Sequence, residues 1–553
     1  MAAEQSKGAN ADLASDLADK ALADPSSIAD KTIEDEDEEG EDDDAEEGDQ
    51  TTAAVGSEPS KKKKKPRKKK KKAAEGTDST AVAQQPTKPV QVQNIQSLLQ
   101  QLAVSSSQGA KKECKAPEDY KFWNTQPVPK FKEPNLLQTT DSSKESLPEG
   151  AILPDKICRA SAKAEPEKLV DGFEWCTVDV EDRGELQELY ELLDNHYVED
   201  QEGSFRFKYS IPFLSWALKP PGWKKDWHIG VRTKSTEGKK GKLVAFIAGI
   251  PVTLKVGDQK LKSTEINFLT VHHKLRGKRL APVLIKEVTR MCYLNDIYQA
   301  LYTAGTLLPT PVSTCRYYHR SLDWEHLYKC GFSHVPPGSS ELRQKYKYKV
   351  DTTTNIKGMR PMKPQDVPAV RDLLVRYLER FHLRQDWSEE EITHWLCSDA
   401  SKDVVSAWVV EKEGGGISDF VSYYLLESTV LRSNKQNETI RAAYLYYLAS
   451  DTAFAPTSGP MPKAKQIQEN LATRLQALMH DAVALAKKEN FHVFNALTLL
   501  DNPLFFEKLK FERGDGKLHY YLFNYRTKAL GGGADENGYA DASKMGGVGV
   551  VML

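Results

Sequence analysis

The chain has 553 residues, enough for two or more domains with sizeable cores. Its formal net charge of −2 averages two opposite extremes near the N-terminus, so the total itself says little about partners. No apolar run approaches the roughly 20 residues that cross a bilayer, and the first twenty residues lack the apolar stretch of a secretion signal.

Glu34–Asp49 holds thirteen acids in sixteen residues, and Lys61–Lys72 holds eleven bases in twelve. Neither run can bury a core, so residues 1–114 are expected to form a disordered, charged arm. The lysine run has two readings. One is a solvated tail or a nuclear-import-like address. The other is a tether to a polyanion such as ribosomal RNA, with affinity from phosphate neutralisation that falls with salt. The seven cysteines are Cys114, Cys158, Cys176, Cys292, Cys315, Cys330 and Cys397. They show no CxxC or Cys/His pairing of metal spacing, so no metal is expected. An odd count argues for free thiols in a reducing, cytoplasmic setting.

Order is expected from about Pro117–Pro129. Gln187–Tyr197 carries Leu189, Leu192 and Leu193 at helical spacing. Leu243–Leu254 is β-rich, with Gly249 and Pro251 expected to break it. Thr264–Val271 alternates like a strand, which predicts Ile266, Phe268 and Thr270 on one face and Asn267, Leu269 and Val271 on the other. Arg276, Lys278 and Arg279 then crowd around Gly277. A helix is predicted over Val283–Tyr293, with Pro282 in its first turn. Such a turn aims backbone N–H groups outward at a helix N-terminus amid positive charge, which suits a phosphorylated ligand. Ile297–Tyr302 is a further short strand.

The second half repeats this grammar. Val404–Val410, Asp419–Leu426 and Ala442–Leu448 read as strands. Ile467–Lys487 is a long amphipathic helix with Leu471, Leu475, Leu478, Met479, Ala482 and Leu485 on one face. Phe491–Leu497 and Leu518–Tyr525 are strands. Tyr328–Phe332 (YKCGF) and Phe506–Phe511 (FEKLKF) both place an aromatic and a lysine before a final Phe. With the repeated strand–helix–strand order, they suggest duplicated α/β domains, 115–350 and 351–553.

Several longer strings carry a resemblance: KFWNTQPV at Lys121–Val128, YVED at Tyr197–Asp200 with FRFKY at Phe205–Tyr209, EINFLTVH at Glu265–His272, RGKRLAP at Arg276–Pro282, YTAG at Tyr302–Gly305, CRYYHRSL at Cys315–Leu322 and KFERGDG at Lys510–Gly516. Together, from about Tyr120 to Leu553, they resemble the N-myristoyltransferase family. The chain departs from the family pattern at Thr270 (usually Cys), His273 (usually Lys) and Glu512 (usually Gly). The resemblance implies an α/β fold of two tandem acetyltransferase-like mixed-sheet halves about a pseudo-two-fold axis. The implied reaction is transfer of a myristoyl group from myristoyl-CoA to the α-amine of an N-terminal glycine on a nascent protein.

The resemblance also assigns residues. Tyr120, Lys121, Phe122 and Trp123 flank the CoA. Thr270 and Val271 continue the acyl-CoA strand, and Gly277, Lys278, Arg279, Leu280 and Ala281 hold the phosphates. The backbone N–H groups of Phe268 and Leu269 form the oxyanion hole. The carboxylate of Leu553 is the base, and Thr303 orients the amine. Tyr197, Glu199, Asp200, Phe205, Tyr317, His319 and Asp515 line the peptide path, and an acid among them pairs with a basic residue of the substrate. Without the resemblance, NFL reads as a plain core strand and His319 equally well as a structural histidine. Two rivals stay open: an acyltransferase for shorter acyl-CoAs, and an RNA- or ribosome-binding protein on a vestigial acyltransferase fold.

Overall fold

The computed structural model describes residues 117–131, 148–200, 203–235, 239–431, 438–454 and 463–553. The two charged runs, and the arm expected around them, lie outside the described residues. All described residues belong to one compact unit.

Fifteen strands form one mixed sheet. In chain order they are β1 (Phe173–Thr177), β2 (Phe205–Lys208), β3 (His228–Thr233), β4 (Leu243–Val256), β5 (Gln259–Val271), β6 (Gln299–Ala304), β7 (Ser313–Ser321), β8 (Met359–Pro361), β9 (Leu383–Gln385), β10 (Val405–Glu411), β11 (Ile417–Val430), β12 (Thr439–Ser450), β13 (Val493–Leu497), β14 (Glu512–Phe523) and β15 (Val548–Gly549). The helices that matter for the site are α1 (Lys121–Thr125), α2 (Arg183–His196), α3 (Leu280–Leu294), α4 (Trp324–Lys329) and α5 (Ala464–Lys488).

The sheet contains the same unit twice. The antiparallel run β3–β4–β5 is followed by α3 and then by β6, parallel to β5. The antiparallel run β10–β11–β12 is followed by α5 and then by β13, parallel to β12. Each unit hands its next strand to the other: β7 pairs with β13, β14 pairs with β6, and β7 and β14 pair at the centre. Short strands are exchanged as well, with β9 on β4 and β2 on β11. The two expected halves therefore share one sheet through exchanged strands. The motifs YKCGF and FEKLKF are not equivalent positions in this duplication: the first follows β7, whereas the second lies between β13 and β14.

Burial explains the helices. In α3, Leu284, Val288 and Cys292 recur every four residues and pack on Val231, Val244, Ala245 and Ile247 of β3 and β4. In α5, the apolar face read from the sequence is the buried one. Each such side chain contributes roughly 1.5–3 kcal/mol on leaving water.

Two expectations on the strands are corrected. Gly249 and Pro251 do not break β4, which runs through both. On that edge β3 pairs only as far as Ala248 and β9 only from Leu254. Pro251 thus falls in the gap between them, where a missing N–H costs no ladder bond. In β5 the strict alternation fails at Phe268. The register shifts between Phe246/Thr270 and Ala248/Asn267, so Phe268 and Leu269 together oppose Ile247. The inserted residue turns Phe268 into the large central core, while Ile266, Leu269 and Val271 share the α3 side.

Candidate active site

The bulge in β5 is the focus of the site. Phe268 has φ 58, a left-handed conformation that is a genuine outlier for a bulky residue. Buried packing of its ring against Tyr197 and Tyr209, at centroid distances of 6.0 and 5.4 Å, holds it there. Its carbonyl accepts from Thr270 Oγ1 at 3.2 Å across the bulge. The Tyr197 hydroxyl is pushed up to about 12 by burial, against a smaller opposing pull from the Phe268 backbone N–H.

Just before the bulge, β5 and β6 part. Their pairing ends at Ile266 and Tyr302, so Asn267–Val271 and Thr303–Ala304 diverge. The opening is a cavity of about 190 Å³ lined by Phe268, Leu269, Thr303, Tyr197, Trp123 and Leu553, with α3 supplying Ile285, Val288 and Cys292. All four residues assigned to catalysis from the sequence therefore meet at one cavity, although up to 285 positions separate them. Its polar groups are few. Cys292 is among them, but burial pushes its thiol up to about 12, so it supplies no thiolate near neutrality.

The chain end reaches this cavity along a built path. β15 pairs in parallel with β9, and Val550, Val551 and Met552 are buried. The Val551 N–H donates to the Tyr447 hydroxyl at 3.0 Å. A Cβ at Gly547 would lie 2.2 Å from the carbonyl oxygen of Gly531, so only glycine lets the tail pass so close.

The basic turn lies at the start of α3. Gly277 has φ 74 and Arg279 φ 58. Arg279 occupies the N-cap position without a side-chain cap, so the first N–H groups of α3 face outward beside exposed Lys278 and Arg279. Leu280 is buried and anchors the turn, and Ala281 is half-buried behind it. The α1 segment docks by the other end of α3, against Tyr293, Tyr298 and Tyr302. Trp123 stacks on Tyr302 at 5.4 Å, Tyr302 on Tyr521 at 5.0 Å, and Phe122 meets Trp123 edge-on at 5.3 Å. The Tyr120 hydroxyl donates to the Leu307 carbonyl, and Lys121 is exposed. Thr270 and Val271 continue β5 past the cavity.

The residues assigned to the peptide path spread over the segment between α2 and β2, β2 itself, β7 and β14. Tyr197 alone among them lines the cavity. Phe205 and His319 both pack edge-on to Phe332, at 5.8 and 5.5 Å, and Tyr317 packs on Tyr444. His319 Nδ1 lies 2.7 Å from Asn495 Oδ1, and burial holds its pKa below the usual value. Gly514 permits this packing, because a Cβ there would come within 2.1 Å of the His319 ring. The acids have partners of their own: Glu199 pairs with Arg206 at 2.6 Å, and Asp200 accepts from the Ser204 and Phe205 N–H groups. Asp515 points into solvent, 3.7 Å from Arg316. Glu512, where the family pattern has glycine, pairs with Lys347 at 2.6 Å.

The sequence reading missed four residues that shape the site. Asn267 lines the cavity and donates to buried Glu265 at 2.8 Å. Burial raises the Glu265 carboxyl to about 7. Ile247 faces the bulge and Tyr447 holds the tail. Two polar residues within an apolar strand were a readable signal for Glu265 and Asn267; nothing local marked Ile247 or Tyr447.

Comparison with known proteins follows the same outline. Residues 153–315 match the family model for the N-terminal domain of myristoyl-CoA:protein N-myristoyltransferase, and residues 329–551 match its C-terminal domain. A glycylpeptide N-tetradecanoyltransferase of Aspergillus fumigatus is 52% identical over 464 residues, covering 83% of this chain and 88% of that protein. Its counterpart in Saccharomyces cerevisiae is 44% identical over 470 residues, covering 84% and 99%. The crystal structure of Saccharomyces cerevisiae N-myristoyltransferase with bound myristoyl-CoA matches with a TM-score of 0.72 at 44% identity, over 79% of this chain and 100% of that one.

Proposed function

The chain belongs to the N-myristoyltransferase family, and from that premise we propose that it moves a myristoyl group from myristoyl-CoA to the N-terminal glycine amine of proteins by direct attack on the thioester. It is an N-acyltransferase with myristoyl-CoA as co-substrate. The observation that carries the finer reading is the convergence of Phe268, Leu269, Thr303 and Leu553 on one largely apolar cavity.

The chemistry assigns each group one task. The CoA phosphates rest on the Gly277–Ala281 turn, and the acyl chain lies in apolar space beside α3. Burying about 12 methylenes at roughly 0.8 kcal/mol each contributes on the order of 10 kcal/mol, so chain length is selected by lost burial. The Phe268 and Leu269 N–H groups face the thioester oxygen as the tetrahedral intermediate forms. One such donor stabilises the transition state by about 3–4 kcal/mol. The glycine amine, with an unperturbed pKa of roughly 7.7–8.0, gives its proton to the Leu553 carboxylate while Thr303 orients it. The new amide forms as the C–S bond breaks, and CoA leaves as the thiol. A Cβ on the attacking residue crowds the gap between thioester and chain end, which restricts the acceptor to glycine.

The peptide then runs past Tyr197 toward Phe205, Tyr317 and His319, with solvent-exposed Asp515 as the partner for a basic side chain. The same reading keeps the enzyme in the cytoplasm, with Lys61–Lys72 meeting a polyanion such as ribosomal RNA near nascent chains. The decisive experiment is an acyl-CoA chain-length series with a Gly-led peptide and its Ala-led control. Transfer that peaks near fourteen carbons and vanishes with the Ala peptide is expected. A preference for acetyl-CoA, or equal use of both peptides, contradicts the reading.

A further inference from the structure

Among the described residues, two clusters outside the cavity bring three metal-ligand side chains together, each with its ligand atoms within 4.8 Å of one another: His196, His272 and His273, and His326, Cys330 and Glu438. The first opens into a pocket also lined by Arg206, Lys242 and Arg276. That cationic lining opposes a metal ion. The second offers an imidazole, a thiol and a carboxylate, so two of its three ligands carry negative charge when deprotonated.

We propose that His326, Cys330 and Glu438 form a binding site for Zn²⁺ or a similar borderline divalent ion, remote from the acyl-transfer cavity. It is a site on the protein's surface layer, not a reaction cofactor.

The geometry is already close to what zinc requires. His326 and Cys330 lie four residues apart at the end of α4, on one helix face. The Cys330 backbone N–H closes the last turn onto the His326 carbonyl, which fixes the pair relative to each other. Cys330 Sγ and His326 Nε2 are 3.5 Å apart. Zn–S and Zn–N bonds of about 2.3 and 2.0–2.1 Å at a tetrahedral angle give an S–N edge of about 3.6 Å. Glu438, just before β12, completes the set from a different part of the chain. His492, whose ring centroid is 3.9 Å from that of His326, or a water molecule takes the fourth position. These are nitrogen, sulfur and oxygen donors, a set that suits zinc and excludes magnesium and calcium.

Binding is a proton-coupled exchange. His326 Nε2 now faces the Thr439 carbonyl at 3.2 Å, so it carries the proton there. With a metal bound, that proton resides on Nδ1 and the lone pair on Nε2 faces the ion. The Cys330 thiol loses its proton to solvent, one per ion bound. The i, i+4 spacing of a histidine and a cysteine was the sequence signal for this site, hidden because zinc spacings are usually sought as Cys pairs. Gly331 and Phe332 follow Cys330 directly, and Phe332 packs on Phe205 and His319. An ion here fastens the turn that carries Phe332, a consequence that rests on the peptide-path reading; the metal site itself does not.

The test uses full-length, reduced, untagged protein and Co²⁺ as probe. One equivalent of Co²⁺ is expected to give a thiolate-to-cobalt charge-transfer band with tetrahedral ligand-field absorption, and Zn²⁺ to displace it. Cys330→Ser abolishes the band. Cys176→Ser and Cys397→Ser, at the two half-buried thiols, leave it intact. Glu438→Gln keeps the band but weakens binding by about 10-fold or more, at least the cost of losing an outer-shell partner. Oxygen-only binding at Glu34–Asp49 gives no thiolate band in any variant. No band in the unsubstituted protein, or a band that survives Cys330→Ser, overturns the proposal. Should Cys330→Ser not fold, equal affinity of the unsubstituted and Glu438→Gln proteins overturns it instead.

Discussion

The two repeats carry the same bulge, and they treat it differently. In β12, Tyr446 and Tyr447 together oppose Ser422 of β11, just as Phe268 and Leu269 oppose Ile247 in the first repeat. Ser422 seals its bulge: its Oγ accepts from the Tyr447 N–H at 3.2 Å and donates to the Tyr447 carbonyl at 3.1 Å. Ile247 has no polar atom to offer the matching Leu269. The second bulge also keeps negative φ, whereas Phe268 does not. One copy of the motif is thus hydrogen-bonded shut and serves as structure. The other lacks that serine and lines the cavity. The Tyr447 hydroxyl then holds the chain end, so the sealed copy anchors the tail whose last residue lines the cavity beside the open copy.

This contrast can be broken at several points. Removing Met552 and Leu553 takes away the proposed base while leaving Val551 on Tyr447. The single-turnover rate is expected to fall by about 10²–10⁴, the usual worth of a positioned general base, with acyl-CoA affinity nearly unchanged. An unaltered rate in stopped-flow or quench-flow measurements removes Leu553 from the mechanism.

Next in size is a stability effect that only the open repeat should show. Counting from the bulges, Ala443 stands where the first repeat has Glu265. The unfolded chain ionises this carboxyl near 4.5, whereas the folded chain keeps the proton to about 7. The native state therefore binds more protons across that window, and stability falls as pH rises through it. The contribution is complete below the lower value, gone above the higher one, and amounts to on the order of 3 kcal/mol. Glu265→Gln retains an acceptor for Asn267 and is expected to flatten this dependence, gaining on the unsubstituted protein at pH 8 relative to pH 5 in urea unfolding. Parallel pH profiles refute the assignment.

The smallest expected effect sharpens the contrast outside the sheet. Among the described residues, only the first repeat follows its bulged strand with a basic left-handed turn. Lys278→Ala combined with Arg279→Gly removes the charge, and glycine suits the positive φ at 279. Acyl-CoA binding is expected to weaken by about tenfold, the equivalent of 1.4 kcal/mol, with unchanged thermal stability. Equal dissociation constants by calorimetry place the phosphates elsewhere.

Local pattern carried much of this fold into the sequence. The strands of both repeats other than β3, the buried face of α5 and the helix after the basic turn follow from period and composition, because each is set by neighbouring residues. The bulge did not follow. A single inserted residue reverses the facing of all that come after it, and its position depends on the partner strand, which periodicity cannot see. The exchange of β7 and β14 was hidden for a similar reason, since pairing is decided over hundreds of residues. The proposed catalytic set comes from resemblance to a family alone. Backbone N–H groups and a chain-terminal carboxylate leave no mark in side-chain chemistry, and Ile247 earns its place by what it lacks.

That absence is the most direct point of attack. Ile247→Ser and Ile247→Ala create similar space and differ chiefly by one hydroxyl, the group with which Ser422 seals the other bulge. Single-turnover myristoyl transfer at saturating myristoyl-CoA compares them. If the open bulge is the oxyanion hole, the serine variant is slower than the alanine variant by about 10²-fold or more, the worth of one donor, while both bind myristoyl-CoA alike. Equal rates in the two variants, with the serine hydroxyl seen on the Leu269 N–H, would contradict the account.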